Sequence, residues 1–259
     1  MRPLTIFETN LIHASDVIYW VDGTTASDPA RMERLTTPVV LRLDTRPFDL
    51  QLLHTKGKTA LWRRSGGRVV EGTATEVDKA LPAAAPYGLA GSVYEPEGRY
   101  NPRLFNITAG GAGGHRIVLY PSPLGSRFSK AGGLNGTLRW STTEFPVPWA
   151  VLTLVVTTAL AVPLVFRTQA DQWGDFMLSL KRLPPLPEGI DHYDAVLTLS
   201  APTVGAGAVP VDPADLTAAR LGSPDSAGTF ADSIALTIVF GEIRLLQTFD
   251  RDFLAVQPS

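Results

Sequence analysis

Residues 149–166 read Trp149-Ala-Val-Leu-Thr-Leu-Val-Val-Thr-Thr-Ala-Leu-Ala-Val-Pro-Leu-Val-Phe166, eighteen positions without a formal charge. They form the greater part of the longest apolar run in the chain, Pro146 to Phe166. Two structures bury such a run: a helix across a bilayer, or strands inside a β core. Eighteen residues are close to the minimum for a spanning helix. The three threonines, the many valines and Pro163 favour strands, and Pro163 also removes a helical hydrogen bond near the end of an already short span. No Lys/Arg cluster marks one flank as cytoplasmic, since Arg139 and Arg167 stand on either side. The expectation is therefore paired strands and no membrane span.

Working outward, Trp149 to Thr157 reads as one strand, Thr158 to Val162 as a turn or bulge, and Leu164 to Ala170 as a second strand. Asp171-Gln-Trp-Gly174 supplies a turn, because Asp bonds its own downstream backbone and Gly takes positive φ. Asp175 to Leu180 returns with Phe176, Leu178 and Leu180 on one face. The prolines of Leu183-Pro-Pro-Leu-Pro187 interrupt pairing, and Tyr193 to Ser200 alternates again.

This order resembles the carboxypeptidase regulatory-like, or transthyretin-like, β-sandwich domain. The features that carry the resemblance lie in 133–201. They are the glycine-led Gly136-Thr-Leu-Arg139, Pro146-Val-Pro-Trp-Ala-Val151, the Thr168 to Phe176 segment, the Leu-Pro turn and the Tyr193-led strand. The resemblance implies a binding or spacer module and brings no catalytic residue with it. The longer connection between its second and third strands departs from a minimal version of that domain.

The whole chain fits this frame. It has 259 residues, 44% apolar and 19% charged, with 21 prolines and 23 glycines, which suits short strands punctuated by turns. A net charge of −2 without a basic stripe gives no electrostatic basis for nucleic-acid binding. Without cysteine there is no disulfide, thiolate metal site or Cys nucleophile. Met1-Arg-Pro-Leu-Thr-Ile-Phe-Glu8 is too acidic and too weakly apolar for a secretory signal, so cytoplasmic synthesis is expected.

Three regions follow. Residues 1–85 form a β-rich unit: an apolar piece at 1–12, strands at Val17 to Val21, Pro38 to Leu43, Phe48 to Leu53 and Thr59 to Arg63. A short helix is expected from Asp28-Pro29 to Leu35. Lys79 to Pro86 reads as a linker. Residues 86–201 form the transthyretin-like region, opening with strands at Leu89 to Tyr94, Arg103 to Thr108 and Arg116 to Tyr120; Gly88 to Tyr120 faintly echoes the later module. Residues 202–259 comprise a flexible stretch, a helix over Asp212 to Gly222, and a strand pair, Ile234 to Phe240 and Ile243 to Leu246. That pair is expected to return to a sheet of the N-terminal unit.

No arrangement of residues carries chemistry. Gly57-Lys58-Thr59 lacks the upstream glycine of a phosphate loop, where Leu52 stands, and a strand follows instead of a helix, so a hairpin turn is expected. The Gly110 to Gly114 cluster is followed by a strand too, and reads as a mobile loop or a close backbone contact with a partner. His13, His54, His115 and His192 lack ligand spacing. Asp171/Asp175 and Glu95/Glu97 flank turns, and Ser92 and Ser126 lack the glycine bracket of a nucleophile elbow. Trp62, Trp140, Trp149 and Trp173 would pack cores and interfaces, or line a sugar-binding face. No catalytic, cofactor-binding or metal-binding residue is assigned.

The expected fold is all-β, two or more small sandwich-like units with few short helices. The expected role is a non-catalytic structural or adaptor component of a multi-subunit assembly, met by other protein subunits and open to homo-oligomer formation. In this it resembles accessory proteins of phage-tail-like or contractile injection particles, in which small β modules serve as adaptors. The alternative is a carbohydrate- or cell-surface-binding β-sandwich.

Overall fold

A computed structural model describes residues 16–48, 50–63, 86–111, 113–158, 163–205 and 207–259. The expected apolar piece at 1–12, almost all of the Lys79 to Pro86 linker and most of the Thr158 to Val162 turn lie outside the described residues. Among the described residues the regular structure is β, relieved by single 3-10 turns.

The first seven strands are β1 (Asp16–Asp22), β2 (Val40–Thr45), β3 (Leu50–Thr55), β4 (Lys58–Arg63), β5 (Tyr87–Tyr94), β6 (Arg103–Ala109) and β7 (Gly114–Leu119). They make a four-stranded sheet in the order β3-β4-β1-β7 and a three-stranded sheet in the order β2-β5-β6. Alternation puts Ile18, Trp20, Leu61, Ile117 and Leu119 of the first sheet in one core with Leu89, Val93, Phe105 and Ala109 of the second. Trp20 meets Phe105 edge-on across the sandwich, ring centroids 6.2 Å apart. β1 and β7 run parallel, Val17 opposite Gly114 through Asp22 opposite Leu119.

The remaining strands are β8 (Gly133–Trp140), β9 (Val151–Val156), β10 (Leu164–Gln169), β11 (Asp175–Ser179), β12 (Tyr193–Ala201), β13 (Thr217–Gly222), β14 (Phe230–Ala231), β15 (Ser233–Ile238), β16 (Ile243–Leu245) and β17 (Leu254–Pro258). Their main path runs β10-β9-β12-β13-β17-β8-β11, with β14 on β13, β15 on β12 and β16 on β8. The two ends of this path, β10 and β11, are consecutive in sequence and lie side by side, Thr168 Oγ1 donating to the Met177 carbonyl at 2.9 Å. The sheet thus curls around one core that includes Leu134, Leu138, Leu152, Leu154, Phe166, Leu178, Leu197 and Leu221.

The deciding stretch supplies two neighbouring strands of this sheet. β9 pairs antiparallel with β10, Val156 opposite Leu164 and Val151 opposite Gln169, and on its other edge with β12. Leu152, Leu154 and Val156 are fully buried while Val151, Thr153 and Val155 are half-buried on the opposite face. Among the described residues no helix is long and apolar enough to cross a membrane. The Asp171 turn forms as expected: Asp171 Oδ1 accepts from the N–H groups of Trp173 (2.9 Å) and Asp175 (3.0 Å), and Gly174 has φ 82°.

Several expectations are corrected. The helix over Asp212 to Gly222 is one 3-10 turn, Pro213–Asp215, followed by β13. The cap forms as the sequence asks, Asp212 Oδ1 accepting from Ala214 N–H at 3.0 Å. The chain then extends because Ala219 and Leu221 are drawn between β12 and β17 into the core. The short helix after Asp28 is likewise one turn, Pro29–Arg31, beyond which Met32 is extended and buried. The late strands do not pair with each other or with the N-terminal unit. β15 joins β12 antiparallel, burying Ile234, Leu236 and Ile238, and β16 joins β8 in parallel.

The strand grouping also cuts across the expected regions. β5 and β6 share a core with β1 and β4, on the far side of residue 85, and β13, β15 and β17 share one with β8 to β12. Among the described residues the chain passes from the first core to the second between β7 and β8.

Candidate functional site

The glycine cluster finds its ligand within the chain. The carboxylate of Asp16, 3% exposed at the start of β1, accepts from the N–H groups of Gly110 and of Gly113, the latter at 2.6 Å. The glycines turn backbone donors toward a buried anion, and the anion is a side chain that fastens the first residue of β1 to the connection between β6 and β7. His115 Nε2 stands 3.9 Å from the same carboxylate. Asp16→Ala should cost about 1–3 kcal/mol for each donor left unpaired, read from denaturant midpoints against the unmodified chain.

The Gly57-Lys58-Thr59 triplet closes the β3–β4 hairpin, with Thr55 opposite Lys58. Gly57 has φ 68° and lies against the Leu35 carbonyl and Arg34 Cβ, where a side chain has no room. Behind it, Trp20 Nε1–H donates to Thr59 Oγ1 at 2.9 Å, and Thr59 Oγ1 meets His54 Nδ1 at 3.0 Å. A hydroxyl beside an imidazole has the outline of a nucleophile and its base. Thr59, however, is fully buried and already occupied by the indole, so it holds His54 in place and is closed to a substrate.

A junction joins the two cores. From the loop after β1, the Ser27 hydroxyl donates to the Val165 carbonyl at 3.1 Å, and the Ser27 carbonyl accepts from Arg167 at 3.0 Å. Arg182 reaches the Thr24 carbonyl (3.1 Å), Ser27 Oγ (3.2 Å) and the Val165 carbonyl, its guanidinium 4.6 Å from the centre of the Phe166 ring. Asn101 donates to the carbonyls of Gln169 (2.9 Å) and Ala170 (3.2 Å). Arg103 pairs with Asp212 at 2.5 Å and donates to the Val118 carbonyl at 2.8 Å.

Burial lowers the pKa of both Arg182 and Arg103, against which the Asp212 charge pulls Arg103 back up. Tyr120 is raised by burial, opposed by Arg167 and Arg103. Tyr100 is raised well above the usual phenol range by burial, then by the charge of Asp22 and its hydrogen bond to it. Arg182→Ala removes three hydrogen bonds of a charged donor, and a loss of about 1–3 kcal/mol is expected. The accompanying sign is faster amide exchange at residues 24–27 with the β1 amides unchanged.

The other sequence candidates stay apart. His192 lies beside Asp191 (2.5 Å) and Asp194 (3.8 Å) on the surface, and His13 is outside the described residues. Among the described residues no three of His, Cys, Asp and Glu are grouped to hold a metal. Glu95 Oε2 accepts from Arg99 N–H at 2.8 Å, Glu97 pairs with Arg99, and Asp175 accepts from Thr137 at 2.5 Å. Burial raises the pKa of Asp171, which its backbone donors oppose. Trp140 and Trp149 are buried in the second unit, whereas Trp173 is 61% and Trp62 36% exposed. The four tryptophans therefore do not form one face.

Sequence reasoning missed the junction and the Trp20–Thr59–His54 chain, which joins residues up to 39 positions apart. Only the position of Arg167 and Arg182 amid apolar strand and proline-rich sequence hinted at buried cations. Compared with protein families, with curated proteins and with solved structures, the chain matches none at a significant level.

Proposed function

We propose that the protein is a non-catalytic structural or adaptor component of a multi-subunit assembly, one of the kind found in phage-tail-like or contractile injection particles. In this reading it is made in the cytoplasm and built into the particle, meeting neighbouring protein subunits. The observation that carries the reading is a pair of sheet edges flanked by exposed apolar side chains. Among the described residues β3 ends the four-stranded sheet and β16 pairs only with β8; beside them Phe48 is 99%, Leu53 65%, and Ile243 and Leu245 each 55% exposed. Edge strands of free monomers are commonly protected by lysines, prolines or bulges, and β3, Leu-Gln-Leu-Leu-His-Thr, contains no lysine or proline. Subunit neighbours would satisfy such edges by strand addition. The hydrogen-bonded junction supports the same reading, because a spacer must hold its ends at a fixed geometry.

Composition analysis and electron microscopy of tail-like particles from the producing cell test this. The chain should occur in fixed proportion to the other subunits, and particles from a strain lacking it should be incomplete. Intact particles formed without the chain would contradict the reading. Saturable glycan binding by the monomer would favour the carbohydrate-binding alternative, for which exposed Trp173 is the best-placed aromatic.

A further inference from the structure

We propose that the pocket under the β3–β4 hairpin binds a small oxyanion, a phosphate or a carboxylate group. The pocket, about 370 Å³, lies between residues 36–39 and the hairpin tip. Its polar side chains are Thr36, Thr37, His54, Thr55, Lys56 and Thr59, and among the described residues no carboxylate lines it.

Three features set the sign of the ligand. Thr37 Oγ1 is buried without a hydrogen-bond partner, a state that folded proteins rarely leave uncompensated. Trp20 Nε1–H can only donate, so Thr59 Oγ1 accepts from it and its own proton is available to His54 Nδ1. In the tautomer that accepts that proton at Nδ1, His54 carries its own on Nε2, as a donor. Lys56 adds an ammonium at the turn. A hydroxyl, an imidazole N–H and an ammonium with no acidic counterpart match an acceptor-rich anion and repel a cation.

The geometry is also fixed in advance. Gly57, lodged against Leu35 and Arg34, seats the tip, while Trp20 locks Thr59 and through it His54. β4 follows where a phosphate loop would open a helix, so side chains do the recognising, and the site is distinct from a nucleotide cradle.

The test is a titration of the full chain, followed by its amide, indole and imidazole NMR signals. The arms are sodium phosphate, sodium acetate, and sodium chloride at matched ionic strength. Phosphate or acetate should shift the Trp20 indole, the His54 ring and the Lys56 and Gly57 amides to saturation. Which anion saturates assigns phosphate or carboxylate as the group. Lys56→Gln and Thr37→Val should each weaken binding about tenfold, the loss of one charge-assisted or buried hydrogen bond. Shifts that chloride reproduces, that never saturate, or that both variants leave unchanged would overturn the proposal. Lys56→Gln alters an exposed turn residue and remains informative even if Thr37→Val fails to fold.

Discussion

Leu154→Ala should lower the free energy of unfolding by about 2–5 kcal/mol, while Thr153→Ala, one residue away, should change it by less than about 1 kcal/mol. Leu154 is fully buried, flanked by Phe166 on β10 and Leu197 on β12, its register partners in the same core. Truncation there leaves a cavity between three adjacent strands that cannot easily collapse. Thr153 faces the other side, opposite Arg167 and Thr198, and is half-buried. Urea midpoints of the two variants read the period-2 alternation directly. Equal losses at both positions would mean that the stretch is buried on all sides, as a helix in lipid would be.

Among the described glycines, Gly132→Ala should be the most damaging exchange for alanine. Gly132 has φ 80°, and an added Cβ would overlap the carbonyl of Glu242, which has no flexible end to yield. Left-handed strain alone costs about 1–3 kcal/mol for a residue with a side chain. The overlap then forces residues 241–243 away from β8. Three hydrogen bonds depend on that contact: Gly133 N–H to the Glu242 carbonyl (2.9 Å), Gly241 N–H to Ala131 (3.1 Å) and Leu246 N–H to Asn135 (2.8 Å). Their amides should lose protection against hydrogen exchange, and β16 should detach before the β9–β12 amides respond. Gly189→Ala, also at positive φ but in open space, serves as the comparison and should leave those three amides protected.

Local signals made the strands and turns of 149–201 legible, because the turn chemistry of Asp171 and Gly174 and the alternation of Phe176, Leu178 and Leu180 need no distant partner. Where local and distant demands conflicted, the distant ones prevailed. Asp212-Pro213 caps a turn as a helix start should, yet Ala219 and Leu221 are pulled into a sheet that sequence alone does not reveal. β17 went unread for a related reason. Leu254, Ala255 and Val256 are all buried, so the strand lacks alternation, and its parallel partner Leu138 to Trp140 lies over a hundred residues earlier. Pairing partners of β15 and β16 were equally hidden, since adjacency in sequence favours a hairpin that the core does not use. The His54 and Asp16 sites depend on contacts across the first sandwich, which no spacing rule encodes.

The central claim is that β9 and β10 are two paired strands, and a disulfide across their register tests it most directly. The chain has no cysteine of its own, so Val155→Cys with Val165→Cys introduces the only thiols. These positions are register partners on β9 and β10, both half-buried on one face. Antiparallel register partners have Cα atoms about 4.5–5.5 Å apart, within the Cα span that a disulfide bridges. Ten residues along one helix would hold them about 15 Å apart. Mild oxidation of the folded double variant should yield the intramolecular disulfide in nearly every molecule, whereas two free thiols after oxidation, with the fold intact, would contradict the strand pairing.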